Sequence, residues 1–429
     1  MKDFVDVEEK LPLGKTIPLS FQHLFAMFGA TILVPSMFHI NPAIALLMNG
    51  IGTILYTIIT RGKIPAYLGS SFAFIAPVTA IIASTSFAHA QSGFIFFGLF
   101  FVIMSFVIRY AGTAWIDIVM PPAVMGSVVA VIGLELAPNA ASQAGLVVAA
   151  GATLPKYTLL VSMVTLAVGV IGTVVFRRFM KVIPILIAVV VGYILALPLG
   201  LVKTSVIAQA HWFALPKFTA PVFDLNAIIM IAPACLVVFA EHVGHLIVTG
   251  NVTNKDLIKD PGLHTSLLAD GLSNIVSGFA GSPPNTTYGE NIGVMAITRV
   301  YSVWVIRGAA ILAILFSCIG KIAAIIQVIP DPVMGGVTIL LYGVIAISGI
   351  RMLVENAVDF SKNYNMVLAA VTFVIGVSGA SIKLGRTGAT IKGMALAAVV
   401  GVILSLLFYV LDKLGLMNEK YEPNPSNKK

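Results

Sequence analysis

The sequence predicts an all-α polytopic membrane protein with 14 transmembrane segments in a 7+7 inverted repeat, and three observations carry that prediction. Of 429 residues, 58% are hydrophobic and 10% charged, where a soluble globule carries roughly 25% charged residues. Long apolar runs recur along the whole chain. Three residue patterns return in the same order about half a chain later.

The first sixteen residues are charged and have no apolar h-region or small-residue cleavage site, so no cleaved signal peptide is expected. The first span should itself direct insertion. Apolar runs follow near 17–37, 43–60, 90–109, 118–137, 157–176, 182–201, 227–249, 301–320, 333–350, 364–381 and 393–411. About 20 such residues cross the hydrocarbon core of a bilayer as a helix. Three weaker segments complete the fourteen: 65–83 is interrupted, 263–280 is amphipathic with Asp270 and Asn274, and 283–298 is broken. An even number puts both termini on one side. With the N-terminus inside, eighteen of the 26 Lys and Arg, from Lys2 through Lys255 and Arg351 to Lys428 and Lys429, fall on cytoplasmic segments. Seven, including Lys217 and Arg386, fall on the other side, and Arg307 lies within a span. The positive-inside rule therefore places both termini in the cytoplasm, and the net charge of +8 is read as loop charge rather than nucleic-acid binding. Cys235 and Cys318 lie in apolar runs and are expected to be buried thiols without a metal or disulfide role.

The repeat is legible in three places. Phe21-Gln22-His23 resembles Ala240-Glu241-His242 at an offset of 219 residues, and Ser70-Ser71-Phe72-Ala73-Phe74 resembles Thr286-Thr287-Tyr288-Gly289-Glu290 at 216. Pro121-Pro122-Ala123-Val124-Met125-Gly126 matches Pro330-Asp331-Pro332-Val333-Met334-Gly335 at 209. Seven spans per half is odd, so the second half enters from the opposite face. In transporters built this way, the interrupted segments of the two halves meet near the midplane and form the substrate site.

Residues 282–299 carry two prolines, two glycines and Glu290 where a membrane helix is expected. Backbone in hydrocarbon must satisfy its own hydrogen bonds, so a broken segment belongs against protein or beside a wet cavity. A helix starting near Gly289 would aim free N–H groups at a ligand beside Tyr288 and Glu290. The alternative is a polar re-entrant loop without a ligand. Charges inside apolar runs are costly, which marks His23, Glu241, His242, His245, Glu290 and Arg307, with Asp270 on the amphipathic span, as residues needing a partner or a role. Glu241 and His245 stand four apart on one helical face and can share a site. Their spacing also suits metal ligands, but His-Glu-x-x-His is absent and no third ligand is evident. A substrate or proton role is favoured over a structural Glu–His bond. Phe72 and Tyr288, at equivalent repeat positions, suggest a slot for a planar ligand. Arg307 snorkels or pairs with an acid, and no function is assigned to it.

Gly14-Lys15-Thr16 ends like a phosphate loop, but Glu9 stands where that motif needs glycine, and there is no nucleophile elbow. An ion-driven secondary transporter is the natural reading.

Glu290-Asn291-Ile292-Gly293-Val294-Met295-Ala296-Ile297-Thr298-Arg299 reads as an acid or amide, Asn, x, Gly, four residues, Thr and a basic or small residue. It resembles the signature of the nucleobase-ascorbate transporter family, and the resemblance runs from about residue 15 to 412. Gly69-Ser70-Ser71-Phe72-Ala73-Phe74, Glu241-His242-Val243-Gly244-His245 and Asn285-Thr286-Thr287-Tyr288-Gly289-Glu290 are similar to its uracil-carrying bacterial members. Purine-transporting relatives tend to have Gln where Glu290 stands.

The resemblance implies proton symport of uracil in the inner (cytoplasmic) membrane by a lipid-embedded homodimer, with the proton as coupling ion and no other cofactor. The core domain would comprise 15–110 and 227–321, and the gate domain 111–201 and 322–412. Tails at 1–14 and 413–429 and an extracytoplasmic loop at 202–226 complete the chain. Segments 3 and 10 are expected to contain short extended stretches. Carried over, the uracil contacts are the side chains of Glu241 and Glu290 and the backbone N–H groups of Phe72 and Gly289. Tyr288 would line the pocket, His245 would act through water, and Tyr342 would face it from the gate side. Proton coupling would fall to Glu290, His245 and Glu241. Uracil has two N–H donors and two carbonyl acceptors, which carboxylates and backbone N–H groups complement. Two acids in one dry pocket disfavour double ionisation, so one should hold a proton when occupied. The competing readings are a proton symporter for xanthine or uric acid, a passive nucleobase channel, and a membrane-embedded enzyme.

Overall fold

The computed structural model describes residues 4–148, 151, 153–177, 180, 181, 183–384 and 389–422. Lys2, Arg178, Arg386, Lys428 and Lys429 of the charge count lie outside the described residues. The first half contains α1 (Leu13–Met37), α2 (Pro42–Ile59), β1 (Leu68–Ser70), α3 (Ile75–Ser84), α4 (Phe87–Ala111), α5 (Ala114–Val119), α6 (Pro122–Gln143), α7 (Thr158–Val175), α8 (Pro184–Ala196) and α9 (Thr204–Gln209). The second contains α10 (Leu225–Thr253), α11 (Leu263–Ala280), β2 (Asn285–Thr287), α12 (Gly289–Thr298), α13 (Val303–Ser317), α14 (Gly320–Gln327), α15 (Asp331–Glu355), α16 (Asn363–Val377), the hairpin β3 (Ser381–Leu384) and β4 (Ala389–Lys392), and α17 (Gly393–Lys413).

Every apolar run contains a helix, 263–280 forms α11, and 65–83 and 283–298 each combine a short strand with a helix. Eight of these helices are, among the described residues, long and apolar enough to cross a membrane. Local chemistry sets several starts. Asn41 accepts from the Ala43 N–H at 2.9 Å with Pro42 in the first turn, and Asp224 accepts from the Asn226 N–H at 2.9 Å. The repeated Pro121-Pro122 and Pro330-Asp331-Pro332 patterns open α6 and α15, whose missing N–H groups need no partner there. The β3–β4 hairpin was not anticipated: its four-residue strands lie between two long apolar runs, too short for a periodic signal.

Two sets of helices pack side by side. In one, α4 lies on α11 and α10, α2 on α13 and α11, and α1 on α13. In the other, α6 lies on α15 and α16, α15 on α7 and α8, and α16 on α17. Where helices share no water-driven attraction, small residues allow the close approach that gives packing energy. At the α4–α11 contact a Cβ on Gly98 would sit 2.6 Å from the Gly271 carbonyl, and one on Gly271 2.7 Å from that of Gly98. Residues 65–83 and 283–298 form the centre. β1 and β2 pair antiparallel, with Leu68 opposite Thr287 and Ser70 opposite Asn285, and each leads into a helical segment, Phe72–Ser84 and α12. The extended backbone is thereby satisfied by its counterpart.

Candidate functional site

The antiparallel strands turn helical at opposite ends of their short ladder, and that geometry builds the site. The Ser71 N–H donates to the Pro284 carbonyl at 2.9 Å and the Tyr288 N–H to that of Tyr67 at 3.0 Å. The next N–H groups, of Phe72 and Gly289, open helical segments whose first turns have no intrahelical acceptor. Asn274 holds β2 in register. Its Oδ1 accepts from the Asn285 N–H at 2.8 Å, and its Nδ2 donates to the Asn285 carbonyl at 2.9 Å.

Between these segments, α10 and α15 lies a cavity of about 320 Å³, within the roughly 300–1,000 Å³ usual for small-molecule sites. Glu241 and His245 enter from α10, Tyr288, Gly289 and Glu290 from the second broken segment, and Phe72 from the first. All six were expected from the sequence, and the fold brings them together. Glu241 and Glu290 line the same cavity from different segments. His245 Nδ1 is 3.2 Å from Thr287 Oγ1, and a Cβ built on Gly289 would stand 3.2 Å from His245 Nε2, so the ring covers the start of α12. Apolar walls come from Met125 and Val129 of α6 and from Ile345 and Met352 of α15. At one end the cavity reaches Asn251 and the Arg351–Glu355 pair, 2.6 Å apart.

Tyr342 stands one layer behind this lining. It is 1% exposed, meets the Phe72 ring edge-on at 6.2 Å, and its hydroxyl donates to Met37 Sδ at 3.3 Å. Beyond it is a second cavity, of about 750 Å³, lined by Met37, Ile75, Thr79, Asn139 and Met334. Along α15, Tyr342 falls between Met334 of this cavity and Ile345 of the first. Behind the site, Asn291 Nδ2 reaches His23 Nδ1 at 3.1 Å and donates to the His23 carbonyl at 3.2 Å. His242 bridges Asp270 Oδ2 at 2.9 Å and Ser266 Oγ at 2.8 Å, tying α10 to α11. Sequence reasoning singled out His23, His242 and Asp270 as charges needing partners but named none of these, because the partners are distant in the chain.

Tyr288 is fixed by a hydrogen bond from its hydroxyl to the Ser70 carbonyl, 2.7 Å. Its ring lies across Gly69, where a Cβ would stand 2.3 Å from two ring carbons. Gly69→Ala is therefore expected to displace the ring and lower stability by about 1–3 kcal/mol, the usual cost of overpacking. Thermal unfolding of the purified variant checks this, and an unchanged transition would show that the ring has room to move.

A profile described as the permease family matches residues 14–385. The chain belongs to that family. It is the nucleobase-ascorbate transporter family that the Glu290–Arg299 motif resembles. The uracil permease of Escherichia coli (strain K12) is 60% identical to this permease over 410 residues, covering 96% of this chain and 95% of the relative. That of Paenibacillus larvae subsp. larvae is 57% identical over 424 residues, covering 98% and 100%. That of Bacillus subtilis (strain 168) is 46% identical over 400 residues, covering 91% and 92%. With eight long apolar helices among its described residues, the permease is a multi-pass membrane transporter, not an enzyme. Two solved structures share its fold. They are the transmembrane domain of the cyanobacterial bicarbonate transporter BicA (TM-score 0.61, 14% identity, 94% of this chain and 99% of that one) and murine Slc26a9 (TM-score 0.66, 12% identity, 96% and 69%).

Proposed function

We propose that this permease takes up uracil across the cytoplasmic membrane by symport with a proton. The observation that carries the reading is the convergence of Glu241 and Glu290 in one cavity, beside the opening N–H groups of two broken segments. Uracil offers that site two N–H donors for carboxylates and two carbonyls for backbone N–H or a protonated carboxyl. Three relatives at 46–60% identity are named uracil permeases, which favours uracil over xanthine or uric acid.

In this reading the fourteen segments all span the membrane as a 7+7 inverted repeat, which the antiparallel β1–β2 pair supports. The two packed sets of helices correspond to the core (15–110 and 227–321) and gate (111–201 and 322–412) domains. The family resemblance extends this to a homodimer joined through the gate domain, with both termini cytoplasmic. The substrate cavity opens toward Arg351 and Glu355, the end that the positive-inside rule assigns to the cytoplasm, and the Phe72–Tyr342–Met37 contact seals the opposite side. Tyr342 thus gates by closing behind Phe72. A passive channel would need a continuous polar lining, whereas an aromatic and sulfur layer separates the two cavities.

Radiolabelled uracil uptake into proteoliposomes tests the function. Uptake is expected to saturate, to rise above equilibrium only with an acidic exterior, and to lose accumulation with a protonophore. Equal competition by xanthine or uric acid would reassign the substrate, and flux indifferent to the gradient would indicate a channel. For the orientation, Lys217→Cys is expected to react with an impermeant thiol reagent on intact cells and Lys255→Cys to be protected. The reverse pattern would invert the topology.

A further inference from the structure

Arg307 lies away from the substrate cavity, on α13. It makes no ion pair among the described residues: Nε donates to Thr57 Oγ1 at 3.0 Å and Nη2 to the Thr57 carbonyl at 3.2 Å. Both bonds go to the last turn of α2, at the end of the helix. A guanidinium has five N–H donors, so three are left for something outside the fold. Its carbon stands 4.9 Å from the centre of the Trp304 ring. Lys10 Nζ stands 4.1 Å from the same ring. Two cations thus share one indole.

The chain fixes this cluster in place. Residues 5–9 form a strap across the start of α13: the Tyr301 N–H donates to the Val5 carbonyl at 2.9 Å, the Val303 N–H to that of Val7 at 2.8 Å, and Ser302 Oγ to that of Glu9 at 2.5 Å. The neighbouring carboxylates are committed or turned outward. Asp6 pairs with Lys255 at 3.0 Å, Asp260 with Lys63 at 2.6 Å, Glu9 Oε2 accepts from the Asp6 N–H at 3.3 Å, and Glu8 is exposed. Running away from the cluster along the same side of α13 are Ile311, 51% exposed, and Leu315, 56% exposed. Such an apolar strip faces lipid in a membrane protein, and a basic and aromatic cluster at its end lies at headgroup depth.

We propose that this corner binds the phosphodiester headgroup of an anionic phospholipid, with Arg307 and Lys10 on the phosphate and Ile311 and Leu315 along an acyl chain. Charge complementarity selects the occupant: two cations that make no ion pair among the described residues, at the head of an apolar strip, match a molecule with one anionic end and a long apolar body. The guanidinium fork suits phosphate oxygens, while its Thr57 bonds hold the plane in position.

The test uses the full chain in nanodiscs of equimolar phosphatidylglycerol and phosphatidylcholine, with retained lipid read by native mass spectrometry after mild detergent release. The wild type is expected to retain phosphatidylglycerol preferentially. Arg307→Gln is expected to cut that preference about fivefold, the effect of about 1 kcal/mol for one basic residue near an anionic surface. Lys10→Gln, on the exposed strap, should lower it in the same direction and serves alone if the first variant does not assemble. Free glycerol 3-phosphate should not displace the lipid, and displacement would reassign the site to a soluble phosphate. Equal retention of both lipids by the wild type, or an unchanged preference in the variants, would overturn the proposal and leave a guanidinium solvated at the interface.

Discussion

Glu241→Ala is expected to weaken uracil binding about tenfold or more, with little change in the fold. Glu241 is half-buried in the cavity wall, one turn before His245 on α10, and hydrogen-bonds to nothing else among the described residues. Its acceptor oxygens are therefore free for a ligand N–H. Alanine would leave a substrate donor unpaired in a site sheltered from water, which costs about 1–3 kcal/mol, and each 1.4 kcal/mol is tenfold in affinity. Stability should hold, because the Glu241 side chain has no hydrogen-bond partner among the described residues that its removal would strand. Equilibrium binding of radiolabelled uracil to purified protein, beside a thermal unfolding curve, separates the two effects. Affinity within about twofold of wild type would remove Glu241 from the contact set.

How far the site was legible in the sequence depends on what kind of signal each part leaves. The helical segments show because apolar runs of membrane length have few competing explanations, and even the amphipathic 263–280 coincides with α11. The broken segments show because Pro283, Pro284 and Gly289 deny a continuous helix, and Phe72 with Tyr288 follows from the repeat offset. What does not show is contact between residues far apart in the chain. Nothing in the primary structure says that Asn291 reaches His23, that His242 meets Asp270, or that residues 5–9 strap α13. Tyr342 was expected to face the pocket from the gate side. It instead packs behind Phe72 while Ile345 and Met352 of its helix take the lining, a distinction of less than one helical turn that only packing decides. Arg307 was expected to snorkel or to find an acid. Its partner is a carbonyl and a hydroxyl of the same residue, Thr57, which no charge pattern can reveal.

Glu290→Gln is expected to keep uracil binding and lose uphill accumulation. Glu290 sits in the first turn of α12, at the junction where the extended segment becomes helical, and it shares the cavity with Glu241 and His245. Two carboxylates so placed disfavour double ionisation, so the loaded site should hold a proton, and the half that moves against the gate would carry it with the substrate. By linkage, a proton taken up with uracil makes apparent affinity rise as pH falls through the titration of the coupled site. Glutamine presents the N–H and carbonyl of a protonated acid but has no proton to release. The variant should therefore bind uracil with a flattened pH dependence between about pH 5 and 8, where perturbed carboxylates and histidine titrate. It should still exchange uracil across the membrane, because exchange of loaded carrier needs no net proton movement. Binding, exchange and gradient-driven uptake can be measured in the same proteoliposomes. Should the variant accumulate uracil like the wild type, the coupling role would pass to Glu241 and His245, the other carboxyl and the imidazole that line the substrate cavity away from its Arg351–Glu355 mouth.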